Sequence, residues 1–548
     1  MIQFNVHDVA SIPLLIHKQP HSRPWNGTGF FGIICGMNIS RRWFIGGAAS
    51  FGAFAGCRAV SGSGLVSSGA PRLTFGVVSD IHIYSLAKPG EKAYGGGMNE
   101  LSFVHTLEWF RDQGVDGVIV AGDMADSGTI RQLEVVADAW FRVFPNDRAP
   151  DGRKVERLFV YGNHDMGGVP YARRCLGAQN VPESAFAPLI IYPNPKAAWE
   201  KVFHEPFEPV WTKTVRGYRF VGAHWWSRAG CTGANETFNL GLADWYAAHA
   251  KEIDPSLPFF HIQHPHPKDT CYGPWAWGRD DGMSTKALSA FPNAVAFSGH
   301  SHYSLTDERS LWQGAFTSVG TSSLRYTGLE YNEYPGAGFE NSVAVGPGAR
   351  EFDLAKMTPR FESGDCRQGM LWKIYDDCMT VRRREFISDC DVGEDWVIPL
   401  PAAEPKPFAF AERAKKIGAP AFPAGAALAV TRVTGKTRGA KKGRGKGQEA
   451  VAPVTKEALK IVVPAAVAKD GARAYQFEVS IAAAGGKKVL KRLVPEGFNQ
   501  ATKHPRTRLA TTCVLALDSL PKGKLDVVVT PVNCFGRRGQ PLTAQFEG

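Results

Sequence analysis

Five short apolar runs in this chain each end in a cluster of Asp, His or Asn. The five stretches are "VSDIHI", "AGDMAD", "YGNHD", "IQHPHP" and "SGHSH", spread between residues 78 and 302. One Asp-x-His pair after a strand is ordinary turn chemistry, but five such endings in series need a common cause. The strand-like runs alternate with segments of helical periodicity such as "NELSFVHTLEWFRDQG", in which Asn99 suits a helix cap. This alternation predicts an α/β layered domain with helices packed on the faces of a sheet.

The polar clusters are expected to meet at one edge of that sheet. In an open α/β sheet, ligands bind at the carboxyl ends of the strands, and each cluster follows a strand. The side chains offer oxygen and imidazole donors, which suit Zn, Mn or Fe. They include no thiolate, and the ten cysteines form no close CxxC pair, which argues against a structural zinc site. The candidate ligands are Asp80, His82, Asp123, Asn163, His264, His300 and His302.

The order of these clusters resembles that of the calcineurin-like metallophosphoesterases. The blocks are D-x-H at 80–82, G-D-x-x-D at 122–126, G-N-H-D at 162–165, a His at 264 and G-H-x-H at 299–302. Each block alone is weak, but all five occur in the family's order within residues 72–325. The resemblance implies a layered metallophosphoesterase-type α/β sandwich core that hydrolyses phosphate monoesters or diesters.

The resemblance also implies a dinuclear centre of two divalent or trivalent ions (Mn, Zn or Fe). A metal-bound hydroxide would then attack phosphorus without a covalent phospho-enzyme. It implies a role for nine residues: Asp80, His82 and His302 as ligands of one ion, Asn163, His264 and His300 as ligands of the second, Asp123 as the bridge, His164 as general acid, and Asp126 as the residue that orients His164.

Two histidines leave a choice open. In "QHPHP" both His264 and His266 fit the family's His before Pro, and His264 is favoured because it follows the strand most directly. His224, at the tip of "RFVGAHWW", is a candidate substrate contact, and a structural role fits equally well.

Aromatic residues flank the predicted metal edge. The loop "CYGPWAWGRDDG" between the last two ligand clusters contains Trp275, Trp277 and Arg279. These are candidate substrate contacts, because tryptophan stacks on rings and arginine neutralises phosphate. The alternative is aromatic packing beneath a long loop. If the loop does contact substrate, a cyclic organic leaving group is expected.

The chain changes character after residue 400. Residues 72–400 are assigned to the catalytic domain and the Pro- and Ala-rich residues 401–425 to a linker. Residues 426–548 carry short alternating segments such as "AYQFEVSIAA", which predict a smaller all-β domain of immunoglobulin or fibronectin III type. Such a domain can contact glycan or the cell envelope, or brace the catalytic domain, and bracing is the commoner role.

The formal net charge of +11 owes much to one run, "GKTRGAKKGRGKGQ" at 435–448. Runs of this kind are more often solvated loops than nucleic-acid sites. An exported nuclease that uses this basic loop is nevertheless one alternative function. A non-catalytic envelope binding protein on the same scaffold is the other, although none of the catalytic residues is missing.

The N-terminal region resembles an export signal. Residues 37–57 contain "SRRWFI" followed by a Gly- and Ala-rich segment, which resembles a twin-arginine signal and predicts a periplasmic or envelope location. Residues 1–36 are expected to be a mis-called start or a disordered extension, and residues 58–71 a linker. "FAGC" resembles a lipoprotein box that would lipidate Cys57, whereas "AFA" fits simple cleavage, so anchoring stays open. No run of eighteen apolar residues occurs, so no membrane-spanning helix is expected.

Overall fold

The computed structural model describes most of the chain from residue 69 onwards. The described residues are 69–84, 97–176, 178–225, 241–274, 276–325, 327, 366–436, 441–442, 449–450, 455–467 and 473–547. The predicted extension, the signal segment with Cys57, Trp275 and most of the basic loop therefore lie outside the described residues. Among the described residues, no helix is both long enough and apolar enough to span a membrane.

Eight α-helices and twenty-two strands are present in the described residues. The helices are α1 (Gly97–Asp112), α2 (Ile130–Val143), α3 (Gly168–Cys175), α4 (Glu183–Phe186), α5 (Pro195–Phe203), α6 (Leu242–His249), α7 (Met283–Leu288) and α8 (Phe410–Lys416). The strands are β1 (Leu73–Val78), β2 (Gly117–Ala121), β3 (Glu156–Val160), β4 (Val210–Val215), β5 (Tyr218–Ala223), β6 (Phe259–Ile262), β7 (Ala294–Ser298), β8 (Leu311–Gln313), β9 (Thr317–Gly320), β10 (Gln368–Ile374), β11 (Cys378–Glu385), β12 (Cys390–Asp391), β13 (Trp396–Pro399), β14 (Ala429–Lys436), β15 (Lys441–Lys442), β16 (Glu449–Ala450), β17 (Thr455–Val463), β18 (Gln476–Ala483), β19 (Lys488–Leu493), β20 (Thr511–Ala516), β21 (Lys524–Val532) and β22 (Leu542–Glu547).

The first part of the chain forms two mixed β-sheets. One has the order β12-β11-β10-β1-β2-β3 with β13 paired to β11, and its β1, β2 and β3 are parallel. The other has the order β4-β5-β6-β7-β9-β8, and its β5, β6, β7 and β9 are parallel. The polar clusters follow β1, β2 and β3 in the first sheet and β6 and β7 in the second. The predicted layered α/β architecture is confirmed, with two sheets rather than one supplying the candidate site.

A cluster of large aromatic side chains joins the two sheets. Phe75 of β1 packs its ring against Phe220, Phe260 and Phe297 of the second sheet at centroid separations of 5.4, 4.9 and 5.9 Å. All four rings are fully buried. Each ring removed from water in this way contributes roughly 2–3 kcal/mol to folding. Both faces of β1 and β2 are buried, since α1 and α2 pack on the opposite side, and this explains their unbroken apolar runs.

The last part of the chain is all-β, as predicted. A three-stranded sheet, β14-β17-β20, and a four-stranded sheet, β19-β18-β21-β22, are both antiparallel. Their inward residues form one apolar core that includes Ile461, Phe477 and Val527. This arrangement is consistent with a β-sandwich. The preceding stretch, predicted as a linker, contains α8.

Several largely buried contacts fasten this β-sandwich and α8 to the α/β part of the chain. The guanidinium of Arg309 lies over the ring of Tyr475, 4.6 Å from its centroid. The carboxylate of Glu308 accepts hydrogen bonds from Arg383 of β11 at 2.9 Å and from Trp396 of β13 at 2.9 Å. The same carboxylate is ion-paired with Arg413 of α8. These contacts make α8 part of the packed structure rather than a free connection.

Candidate metal centre

The residues that follow the strands adopt an unusual backbone conformation. Their φ angles are positive, between 49° and 72°. For residues other than glycine this conformation costs roughly 1–3 kcal/mol each, and it persists only where the surroundings enforce it. The five residues are Asp80, His82, Asp123, His300 and His302. Strain of this kind, concentrated at the carboxyl ends of strands from both sheets, identifies the edge as a candidate functional site.

The first group of donors consists of Asp80, His82 and His302. Nε2 of His302 lies 3.1 Å from Oδ1 of Asp80, and Nε2 of His82 lies 3.7 Å from the same oxygen. The two imidazole Nε2 atoms lie 3.1 Å apart. The hydroxyl of Ser79 and the backbone N–H of His300 donate to the Asp80 carboxylate and hold its orientation. Three donor atoms that face one another in this way can surround a single cation.

Asp123 lies at the centre of the cluster. Its Oδ2 is 3.5 Å from Nε2 of His82 and 3.2 Å from Nε2 of His264. Its Oδ1 accepts the backbone N–H of His164 at 2.8 Å. Gly162 allows this approach, because a Cβ at that position would overlap Oδ1 of Asp123. The carboxylate is therefore shared between the two groups of donors, as a bridging ligand requires.

The second group lies around His264. Nδ1 of His264 donates to the carbonyl of Ala121 at 2.7 Å, so its Nε2 presents a lone pair to the cluster. That Nε2 is 2.9 Å from Oδ1 of Asn163. The rings of His264 and His300 are 4.8 Å apart. Donor atoms of Asp123, His264 and His300 lie within 4.8 Å of one another. His264 is thus the histidine of "QHPHP" that the structure places in the cluster.

The electrostatics of the cluster fit a bound cation. Burial by itself lowers the pKa of His82, but hydrogen bonds with the carboxylates of Asp126 and Asp80 raise that pKa to about 9. Burial likewise lowers the pKa of His264, and the charge of Asp123 raises it to about 9. Buried carboxylates thus draw positive charge into the site, and a metal ion would supply it while leaving the imidazoles neutral. The donor set of oxygen and imidazole atoms fits Mn, Zn or Fe.

The structure places His164 and Asp126 together, but not with the contact that the resemblance implies. Nδ1 of His164 lies 2.9 Å from the backbone carbonyl of Asp126 and 2.5 Å from the hydroxyl of Tyr171. The Asp126 carboxylate is 3.9 Å from that nitrogen, closer to Nδ1 of His82 at 3.3 Å, and ion-paired with Arg325. Asp126 therefore contacts His164 through its backbone carbonyl, because the Asp126 carboxylate is engaged by Arg325 and His82.

His164 also lies within reach of the metal donors. Its Nε2 is 4.0 Å from Oδ2 of Asp123, and His82, Asp123 and His164 form a third group of possible ligands. Burial lowers the pKa of His164, and the charge of Asp123 opposes this. A ligand role and a proton-donor role are both compatible with this position.

His224, a candidate substrate contact, is a core residue. It is fully buried, and its ring packs against Trp199 and Phe207 at 4.8 and 4.7 Å. Its Nδ1 accepts the backbone N–H of Tyr161 at 2.9 Å. Burial lowers the pKa of His224 to about 3, so the ring is neutral. The structural alternative is the one that the geometry supports, because no surface of this ring reaches solvent.

The aromatic loop lies beside the cluster. The Trp277 ring stacks on the ring of His300 at 4.6 Å with 24° between the planes, while the side chain is 48% exposed. Trp225 packs against the other side of the site, 5.8 Å from the ring of His300. Arg279 is half-buried and pairs through its backbone with His266. Trp277 thus covers a candidate ligand and still exposes part of its ring to solvent, while Trp275 lies outside the described residues.

Several residues at the site were not predicted. Arg325 follows β9, whose parallel pairing with β7 directs its carboxyl end to the same edge, and this register is the signal that could have identified it. Tyr171 lies in α3 and carries no sequence signal. Asn99 was expected to cap a helix, but it lies inside α1 and donates from Nδ2 to the carbonyl of His82 at 2.6 Å. Its polar side chain holds a ligand loop instead of a helix end.

One family model matches the part of the chain that contains the five motifs. Residues 73–304 match the family model described as calcineurin-like phosphoesterase. Among solved structures, a dimetal phosphatase from Danio rerio is 12% identical with a TM-score of 0.35, covering 60% of this chain and 99% of that one. A purple acid phosphatase from yellow lupin seeds is 13% identical with a TM-score of 0.33, covering 60% of this chain and 53% of that one. The comparison with curated proteins found no match.

Proposed function

The chain carries a calcineurin-like phosphoesterase domain over residues 73–304, and on this premise we propose that it hydrolyses phosphate esters at a dinuclear metal centre. The observation that carries the proposal is the convergence of donors from five loops and two sheets into adjoining groups that share one carboxylate. A structural set of polar turns would satisfy its own backbone locally. It would not direct buried imidazole and carboxylate atoms at one another across separate sheets.

The residues divide into two ligand sets around Asp123. We assign Asp80, His82 and His302 to one cation and Asn163, His264 and His300 to the other. When bound, two cations would supply Lewis acidity towards the phosphoryl oxygens and lower the pKa of the attacking water. The chain's contribution is to hold these donors rigidly, through Ser79 on Asp80 and through the Ala121 carbonyl on His264.

His164 is the chain's candidate general acid. Since its Nδ1 is occupied by the Asp126 carbonyl, Nε2 is the atom that would deliver a proton to the leaving oxygen. Its side chain is 25% exposed, so solvent reaches it. The neighbouring Arg325 keeps Asp126 ionised: burial raises the pKa of Asp126, but His82 and Arg325 bring it to about 2.

A metal-reconstitution assay tests the proposal. The protein is stripped of metal and assayed on a panel of phosphate mono- and diesters after addition of Mn, Zn or Fe separately. We expect no hydrolysis by the stripped protein, restored hydrolysis with at least one metal, and about two bound equivalents per chain. Asp123→Asn should bind less metal and lose activity with an unchanged far-UV spectrum. Failure of every ester and metal combination, or binding of less than one equivalent, would refute the proposal.

The role of His164 needs a second measurement, because it lies near the ligands. For a general acid, His164→Ala should lower kcat by roughly a hundredfold or more on esters with poor leaving groups and far less on p-nitrophenyl phosphate. Its metal content should match the wild type. A fall in bound metal would instead identify His164 as a ligand. His105→Ala, on an exposed surface paired with Asp389, is the matched control and should change neither quantity.

Location and the rival functions remain proposals. We propose export by the twin-arginine route, supported by the "SRRWFI" motif within residues 37–57. The nuclease alternative depends on the basic loop at 435–448, most of which lies outside the described residues. The alternative of a non-catalytic binding protein is disfavoured by the complete set of candidate ligands and by the position of His164. A contact of the C-terminal domain with glycan or envelope also stays a prediction.

A further inference from the structure

The segment from Ser322 to Arg325 forms one wall of the candidate site. It follows β9 and delivers the Arg325 guanidinium to the carboxylate of Asp126. The hydroxyl of Ser323 donates to the carbonyl of Asp80 at 3.1 Å and accepts the backbone N–H of Arg325 at 2.9 Å. This segment therefore touches the metal-ligand loop after β1 and the residues around the candidate acid at the same time.

The catalytic domain holds the start of this segment. The backbone N–H of Leu324 donates to the carbonyl of Ser79 at 3.1 Å, and Nη1 of Arg367 donates to the carbonyl of Leu324 at 2.6 Å. Ser322 contacts the side chain of Gln368, its hydroxyl lying 3.2 Å from Oε1. These partners lie directly after β1 and at the start of β10. Gln368 in turn contacts the C-terminal domain.

The C-terminal domain holds the other end. Asn499 is 1% exposed, and its Nδ2 donates to the carbonyl of Thr327 at 3.2 Å. Its backbone carbonyl accepts a hydrogen bond from Nε2 of Gln368 at 2.7 Å. Asn499 thus binds Thr327, two residues beyond the wall segment, directly, and it contacts Ser322 of that segment indirectly through the side-chain amide of Gln368. Both contacts are buried, so water does not compete for them.

We propose that Asn499 is a positioning residue that makes the C-terminal domain part of the active site: it fixes the main chain at Thr327, two residues beyond Arg325, and thereby helps to hold Arg325 against Asp126. This rests on the proposed phosphoesterase function for its catalytic consequence, but the structural coupling does not depend on catalysis.

Thr502 provides a matched control. It lies three residues beyond Asn499 and also makes a hydrogen bond across the domain boundary, its hydroxyl donating to the carbonyl of Val392 at 2.5 Å, although the Thr502 side chain itself is exposed. Val392 lies next to β12, at the edge of the first sheet and away from the metal ligands. Thr502→Ala therefore removes one hydrogen bond between the same two domains without touching the site wall.

The experiment compares Asn499→Ala, Asn499→Asp and Thr502→Ala in the full-length, metal-loaded protein. Loss of one buried hydrogen bond corresponds to about a fivefold effect, so we expect kcat/KM to fall about fivefold in Asn499→Ala with unchanged metal content. Asn499→Asp keeps the shape but faces Thr327 with an acceptor, and it should be impaired at least as much. Thr502→Ala should retain wild-type kcat/KM. In an Arg325→Ala background, Asn499→Ala should have no further effect, because both act through the same guanidinium.

A second readout is independent of activity. Amide hydrogen exchange at Leu324 and Arg325 in metal-free protein should accelerate in Asn499→Ala and not in Thr502→Ala. Equal exchange and equal kcat/KM in the two variants would overturn the inference, as would fully additive losses with Arg325→Ala. If the wild type hydrolyses no ester but exchange at the wall still depends on Asn499, the proposed function fails and the positioning role stands.

Discussion

The carboxylate of Glu308 offers a sharp test of how α8 is fastened to the α/β domain. It is 18% exposed and is surrounded by Arg383, Arg413 and the indole N–H of Trp396. Burial alone would raise the pKa of Glu308, but the charges of Arg383 and Arg413 and the bond from Trp396 bring it to about 2, against an ordinary value of 4.5. The substitution Glu308→Gln keeps the shape of the side chain and removes its charge.

The displaced pKa sets the size and the pH range of the effect. A folded-state pKa of about 2 against 4.5 when unfolded corresponds to about 3 kcal/mol of stability at neutral pH. Because the unfolded chain takes up the proton first, this contribution is complete above pH 4.5 and is lost as pH falls towards 2. The wild type should therefore exceed Glu308→Gln in free energy of unfolding by up to about 3 kcal/mol at pH 7 and by roughly half as much or less at pH 3.

Urea unfolding of metal-free protein, followed by far-UV circular dichroism between pH 7 and pH 3, measures this difference. A difference in free energy of unfolding that stays constant between pH 7 and pH 3 would refute the reasoning, because the carboxylate would then stabilise the fold by its shape and not by its charge. Asp376→Asn is the matched control. Asp376 pairs with Arg72 at 2.8 Å, but both side chains are more than 60% exposed, and solvent screens such a pair. We expect no measurable change at any pH.

Two further predictions concern the site. Trp277→Ala should raise KM several-fold for esters with a cyclic leaving group and leave KM for a small alkyl phosphate unchanged. Trp277→Phe should restore part of the loss. If bound metal falls while KM is unchanged, the ring serves only to pack His300. Gly162→Ala should displace the Asp123 carboxylate and reduce bound metal to one equivalent or less by elemental analysis, whereas Gly486→Ala, where a Cβ meets only ordinary contacts, should bind metal like the wild type.

The candidate ligands could be identified from the sequence because each of them follows closely after the end of a strand. A residue that follows a parallel strand lies at the carboxyl edge of the sheet, as Asp80 after β1 and His300 after β7 illustrate. The sequence also predicted the α/β and all-β fold classes. Segments with helical period alternate with strand-like segments in the first part of the chain, whereas the last part contains short segments with the period of strands. The division of the α/β strands between two sheets was not predicted, because strand pairing over long separations leaves no local pattern.

Side-chain partners were harder to predict than side-chain positions. Asp126 was expected to orient His164 through its carboxylate, but competition from Arg325, almost two hundred residues away, directs that group elsewhere. His224 follows a strand as the ligands do, yet it points into the apolar core beside Trp199. Both outcomes depend on neighbours that are distant in sequence, and no local pattern contains them.

The two sheets meet the candidate centre from opposite halves of the catalytic sequence. Asp80 and Asp123 come from one sheet, and His264 and His302 come from the other. A cation bound there is a removable cross-link between an early and a late portion of the polypeptide. Each candidate ligand set draws residues from both portions, so neither set is complete until the later portion has been synthesised.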